Sequence, residues 1–170
     1  MSCDASDIDR LLASFEHRPT ERVPNFEILI EDKHCSRLLG RSVGHTLVPH
    51  SRELDIEPKR RHLRAYIQAC KGTKIGTTIM TCAPIMTPYQ FIVGFEEFMM
   101  KLYTDPEFIQ KVVQMCMDYY LDIVRMACEE GVSFIYIGDD IGQKGGLIMG
   151  PEMTRKWAIP CYRRIVEECR

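Results

Sequence analysis

Apolar positions recur along most of this chain at helical spacing, and at three places they close up into short unbroken runs. From Ser6 to Phe15, Ile8, Leu11, Leu12 and Phe15 fall at i, i+3, i+4 and i+7, which predicts a short amphipathic helix capped by Ser6 or Asp7. After a connector at Arg18–Arg22, Val23 to Ile30 reads as a first strand, or as a strand leading into a helix. The pattern then weakens. A helical segment ends at Leu39-Gly40-Arg41, Gly44 to Pro58 reads as a loop, and Arg61 to Cys70 as a helix with Leu63, Tyr66 and Ile67 turned inward. Lys71-Gly72 stops it, and Ile75 to Met80 is the second apolar run. Thr87, Tyr89 and Gln90 then open a helix carrying Phe91, Gly94, Phe95 and Phe98.

The signal is strongest in the second half. Asp105-Pro106-Glu107 supplies a capping carboxylate, a proline at the first helical position and an acid at the positive end of the helix dipole. Phe108, Val112, Met115, Tyr119, Ile123 and Met126 follow at steps of three and four, predicting one apolar stripe on a helix that ends before Gly131. Val132 to Ile137 is the third run, too short for a helix, and reads as a strand buried on both faces. Asp139 and Asp140 stand at its C-terminal end, followed by a glycine-rich loop (Gly142, Gly145, Gly146) and a helix opening at Pro151-Glu152. Pro160 is expected to kink or split that helix. Helices alternating with apolar strands predict an α/β fold with a parallel sheet, in which chemistry sits where the strands end.

Composition changes this picture little. With 170 residues the chain has one domain's worth of sequence, read as a single domain over 1–170. Its net charge of -2 gives no reason to expect nucleic acid, and the one basic cluster, Lys59, Arg60, Arg61 and Arg64, reads as a solvated helix face. No apolar run approaches the roughly 20 residues of a membrane span, and the acidic, polar start MSCDASDIDR is no secretory signal, so a cytoplasmic location is expected. The eight cysteines include no C-x-x-C pair and are read as reduced, mostly buried thiols, with Cys116 and Cys128 acting as small apolar residues inside helices. The five histidines show no H-x-x-x-H or H-x-C spacing, so no metal site within this chain is expected.

The strand with Asp139-Asp140 and its glycine loop, Leu147-Ile148, Pro151-Glu152, and Pro160 followed by Tyr162, Arg163 and Ile165 together resemble the uroporphyrinogen decarboxylase superfamily. Gly94-Phe95-Glu96, Asp105-Pro106-Glu107 and Arg22-Val23-Pro24 extend the resemblance upstream. That family comprises decarboxylases and corrinoid- and zinc-dependent methyltransferases. The resemblance implies a (β/α)₈ TIM-type barrel, of which this chain, with three strands where such barrels need about 250 residues, is expected to be a shortened N-terminal part. The chain departs from the decarboxylase branch where that branch carries paired arginines after the first strand: here stand Glu27, Glu31 and Asp32, with Arg37 only afterwards. A further strand-bearing segment before Ile75 is also missing.

The site residues the resemblance implies are Asp139 and Asp140 as catalytic carboxylates, with Glu27, Tyr89 and Gln90 lining the substrate. Each has a plainer alternative. Glu27 can be a helix-start glutamate, Tyr89 can simply pack, and of the two aspartates one can cap the glycine loop while the other pairs with Lys144. The expected activity is methyl transfer between a corrinoid protein and a small thiol or similar acceptor, with zinc and the corrinoid partner belonging to a full-length enzyme. The alternatives are uroporphyrinogen decarboxylation and a non-catalytic half-barrel that binds a small molecule or self-associates into a homo-oligomer.

Overall fold

The computed structural model describes residues 8–20, 36–37, 40, 56–73, 75–81 and 83–170. The expected first strand at Val23–Ile30, and with it Glu27, lies outside the described residues. The chain divides into two compact units, one formed by Met1–Asp55 with Cys70–Gly76, the other by Ile56–Ala69 with Thr77–Arg170.

In the first unit, helix α1 spans Ile8–Phe15. It buries Ala13, while Leu12 and Phe15, expected on the inward stripe, are exposed. It ends in a turn where Arg18 N–H reaches the Ala13 carbonyl (2.8 Å) and His17 takes a positive φ of 55°. Ser36 and Arg37 of this unit are also helical; among the described residues the other helices and strands belong to the second unit, apart from Cys70.

Helix α2 (Ile56–Cys70) begins inside the segment read as a loop. Leu63 is buried and Ile67 packs beside it, but Tyr66 is exposed. Strand β1 (Thr78–Thr81) pairs in parallel with strand β2 (Phe134–Ile137), Thr78 opposite Phe134 and Thr81 opposite Ile137. The parallel sheet predicted for an α/β chain is therefore present as two strands. All four β2 residues are only half-buried, not sealed on both faces, because among the described residues the sheet has no further strand to extend its cover.

Between the strands run a π-helical turn (Pro88–Ile92), closed by Val93 N–H on the Pro88 carbonyl at 2.8 Å, then α3 (Phe95–Thr104) and α4 (Pro106–Glu130). Gly94, read as lying within one helix, separates two: its φ of 95° is outside the helical range, and an L side chain there would be strained. The α4 boundaries follow the sequence closely. Asp105 accepts the Phe108 N–H (3.2 Å), Pro106 opens the helix, and Gly131, at φ 80°, closes it with its N–H directed to Ala127 and Cys128.

The buried face of α4 differs from the stripe read off the sequence. Phe108 and Met115 are exposed. The row that enters the main core is Ile109, Val113, Met117, Leu121 and Val124, one or two residues on from the predicted one, while Val112, Ile123 and Met126 of the predicted stripe are buried as well. A second face, Ile123, Met126 and Ala127, packs against Leu63 of α2. A helix covered on two sides does not show a single clean stripe.

After β2 a two-residue antiparallel ribbon forms, β3 (Gly142–Gln143) with β4 (Gly146–Leu147). Helix α5 (Gly150–Glu168) then runs unbroken through Pro160, so the expected split does not occur. Ala158, Cys161 and Ile165, flanking the proline, are all in the main core with Phe98, Ile109 and Met117. Burial of that face holds the turn that the missing N–H would otherwise loosen.

Candidate functional site at the strand ends

The C-terminal ends of β1 and β2 lie side by side, which brings the segment after Thr81 against Asp139 and Asp140. Ala83 to Val93 winds into helical turns, and its first amide groups have no acceptor within the turn. Asp139 supplies one. Its carboxylate accepts the Met86 N–H at 2.6 Å and the Ile85 N–H at 3.2 and 3.3 Å. It also accepts the hydroxyl of Tyr162, from the middle of α5, at 2.7 Å. Tyr89, buried on the π-helical turn, donates its hydroxyl to the Asp140 carbonyl at 2.7 Å. Two elements of the unit, the 84–92 turn and α5, thus close on two consecutive residues.

Asp139 therefore caps the 84–92 turn across the chain. It does not cap the glycine loop with its side chain; there only its carbonyl takes part, accepting Ile141 N–H at 2.8 Å. Among the described residues neither aspartate is hydrogen-bonded to or ion-paired with Lys144. Asp140 is exposed, whereas Asp139 is half-buried.

The electrostatics follow from this packing. Loss of solvent raises the Asp139 carboxyl above its ordinary range; the Met86 and Ile85 amides and the Tyr162 hydroxyl pull it back only in part, and the Asp140 charge adds to the rise. Tyr162 is pushed up as well, first by burial and then by its bond to Asp139. Beside it Cys161 is raised to about 11 by burial and by the Asp139 charge. Tyr89 is raised by burial and by both aspartates. Every group holding Asp139 is neutral, so the negative charge at this strand end has no cation against it among the described residues.

Of the residues singled out in the sequence, Asp139, Asp140 and Tyr89 come together. Gln90 is exposed on the turn beside them. Glu27 lies outside the described residues. In the sequence Tyr162 stands out only as part of a helix motif, two residues after Pro160. The Ile85 and Met86 amides are backbone groups and leave no trace in side-chain patterns.

Zinc, implied for the methyltransferase branch, needs three or four His, Cys or carboxylate donors converging on one point. Among the described residues no three such side chains are close enough to hold a metal ion. These residues do not fit a zinc centre.

A short parallel sheet with an acid at its strand ends, joined by capped helices, is an α/β arrangement. The model of the uroporphyrinogen decarboxylase (URO-D) family matches residues 53–170, and the chain belongs to that family. No curated protein and no solved structure shows significant similarity to it. Among the described residues no helix is long and apolar enough to cross a membrane.

Proposed function

We propose that this chain forms one wall of a small-molecule site in a URO-D-family protein of the methyltransferase branch, part of a TIM-type barrel, acting with a corrinoid protein on a small acceptor. The observation that carries the reading is the neutral surroundings of Asp139 beside the exposed Asp140 carboxylate. A porphyrinogen bearing many carboxylates needs guanidinium partners, since bidentate pairing supplies both charge and orientation. Here such a substrate meets two acids at the strand ends, and Glu27, Glu31 and Asp32 stand in the sequence where arginines would serve it. A neutral or cationic acceptor suits the charge. In this reading Asp140 touches the acceptor, and Asp139 positions the two walls of the site by holding the 84–92 turn and α5 together.

The test is a pair of assays on the whole chain. Equilibrium dialysis against methylcobalamin, with 2-mercaptoethanol as acceptor thiol, is expected to show binding that Asp140→Asn weakens several-fold. Chromatography of uroporphyrinogen after incubation is expected to return it unchanged. Loss of carboxyl groups from the porphyrinogen would overturn the reading in favour of the decarboxylase branch.

A second reading, self-association, is favoured by a specific feature. Among the described residues β1 and β2 each bond on one side only, and Met80 on β1 is 58% exposed. Unpaired strand edges with apolar neighbours favour pairing between copies. Light scattering that returned a monomer at high concentration would dismiss it.

A further inference from the structure

Away from the strand-end site, the C-terminal ends of α4 and α5 meet. Arg125 of α4 clasps Glu168 of α5 through two hydrogen bonds, Nε to Oε1 at 2.8 Å and an η nitrogen to Oε2 at 3.1 Å. Its other η nitrogen holds Asp122 at 2.9 Å. Cys128 lies one helical turn beyond Arg125 on the same side of α4. Cys169 follows Glu168 directly, and its N–H still bonds to the Ile165 carbonyl (3.2 Å), so the helix end is wound and its direction fixed. The clasp thereby brings the two cysteines to the same meeting point of the helix ends, where burial and then the neighbouring Cys128 thiol raise the Cys169 thiol.

These two differ from the other described cysteines. Cys128 and Cys169 are exposed, against the expectation that Cys128 would behave as a buried apolar residue. Cys116 and Cys161 are buried, and burial raises both thiols to about 11, which withholds them from exchange. Cys70 is half-buried and belongs largely to the other unit. Access and proximity coincide at one pair.

We propose that Cys128 and Cys169 form a reversible disulfide, held in register by the Arg125–Glu168 ion pair, with a low-molecular-weight disulfide as the oxidant. One cysteine thiolate attacks the small disulfide, its S–S bond breaks, and one small thiolate leaves. The second cysteine thiolate attacks the protein sulfur of the mixed disulfide and expels the other small thiolate. The two cysteines lose two electrons, the small disulfide gains them, and the two cysteine protons end on the released thiols. The product fastens the end of α5 to α4 and closes a ring that contains β2, Asp139 and Tyr162.

The experiment uses the whole chain incubated with oxidised glutathione, alkylated, and digested with trypsin without reduction. The expected product is residues 126–144 joined to residues 165–170, two hydrogens lighter than the sum of the peptides and released by dithiothreitol. The oxidised protein should melt on the order of 5–10 °C above the reduced one, since the cross-link restricts the unfolded chain. Cys169→Ser, a change at an exposed helix end, should abolish both effects and leave glutathione on Cys128. Glu168→Gln keeps both cysteines and should slow ring closure several-fold. Separate glutathione adducts persisting on the wild-type Cys128 and Cys169, or a cross-link from either to another cysteine, would overturn the proposal. A closure rate unchanged in Glu168→Gln would overturn the role given to the ion pair.

Discussion

The two ends of β2 place a carboxylate in opposite surroundings. Before the strand, at the end of α4, Glu130 is met by Arg60 at 2.8 Å and Arg64 at 2.6 Å, both from α2. The two guanidinium groups, Arg64 foremost, hold its carboxyl below the ordinary range. The basic cluster read as a solvated face thus spends Arg60 and Arg64 on a partner helix, with Arg60 also reaching Glu129 at 2.7 Å. After the strand, Asp139 is met only by amides and a hydroxyl, and burial holds its carboxyl above the ordinary range. One end of the strand is neutralised; the other keeps its charge open. Structural carboxylates that serve only to join helices resemble the first. The second leaves its charge without a cation among the described residues, and the proposed site draws on that difference.

The largest break in this comparison should come from Asp139→Ala. It strands two backbone N–H groups and the Tyr162 hydroxyl, and at about 1–3 kcal/mol for each buried group left unsatisfied, partly offset by water, a loss of roughly 2–4 kcal/mol in urea unfolding is expected. Asp139→Asn keeps an acceptor for the amides and should stay within about 1 kcal/mol of wild type. Equal stability of the alanine variant and wild type would mean that the turn and α5 are held by packing alone. The pH dependence separates the two ends further. Since the folded protein holds the Asp139 proton above the reference value of 3.8, the stability this group contributes is full below that pH and is lost as pH rises through the raised folded value. Wild-type stability relative to Asp139→Asn should therefore fall across that window. Glu130 runs the other way: its contribution is present above its ordinary value of 4.5 and is lost as pH falls through the lowered folded one.

Next in size is Tyr162→Phe, which removes one hydrogen bond to a half-buried carboxyl and should cost about 1–2 kcal/mol. Since the hydroxyl pulls the Asp139 carboxyl down, its removal should also move the Asp139 titration further up, read by carboxyl NMR shifts. A titration that stayed in place would detach Tyr162 from the aspartate in solution. Glu130→Gln should have a smaller effect that weakens in 1 M salt, because Arg64, one of the two guanidinium groups holding it, is exposed to solvent. A melting temperature difference that survives high salt would show that packing, not charge, joins α2 to α4.

Much of this architecture is written in local chemistry. Asp105-Pro106 and Gly131 bound α4 where propensity says they should, since a cap, a fixed φ and a left-handed glycine act within one turn. The parallel strands were legible in unbroken apolar runs. What failed depended on neighbours distant in sequence. The buried face of α4 is wider than one stripe because Leu63 and Phe98 approach from different sides, and Pro160 sits inside α5 because Cys161 and Ile165 are anchored on either side of the next turn. The site was half legible. Two acids at a strand end announce themselves, but which one faces inward is decided by the Ile85 and Met86 amides, and no side-chain pattern records those.

The smallest expected effect on stability is also the sharpest on the site. Asp140 is exposed, and among the described residues only its backbone carbonyl is hydrogen-bonded, by Tyr89. Asp140→Asn leaves that bond in place and should change unfolding free energy by no more than about 0.5 kcal/mol, the usual range for surface substitutions. Tyr89→Phe is the complement, since it loses the bond to the carbonyl while keeping the carboxylate. If Asp140 is the group that meets the acceptor, Asp140→Asn weakens methylcobalamin-and-thiol binding with stability intact, and Asp139→Asn, its neighbour, disturbs binding less. If instead both substitutions leave binding unchanged while Asp139→Ala alone unfolds the chain, the pair at the end of β2 is a structural joint like Glu130, only without its arginines.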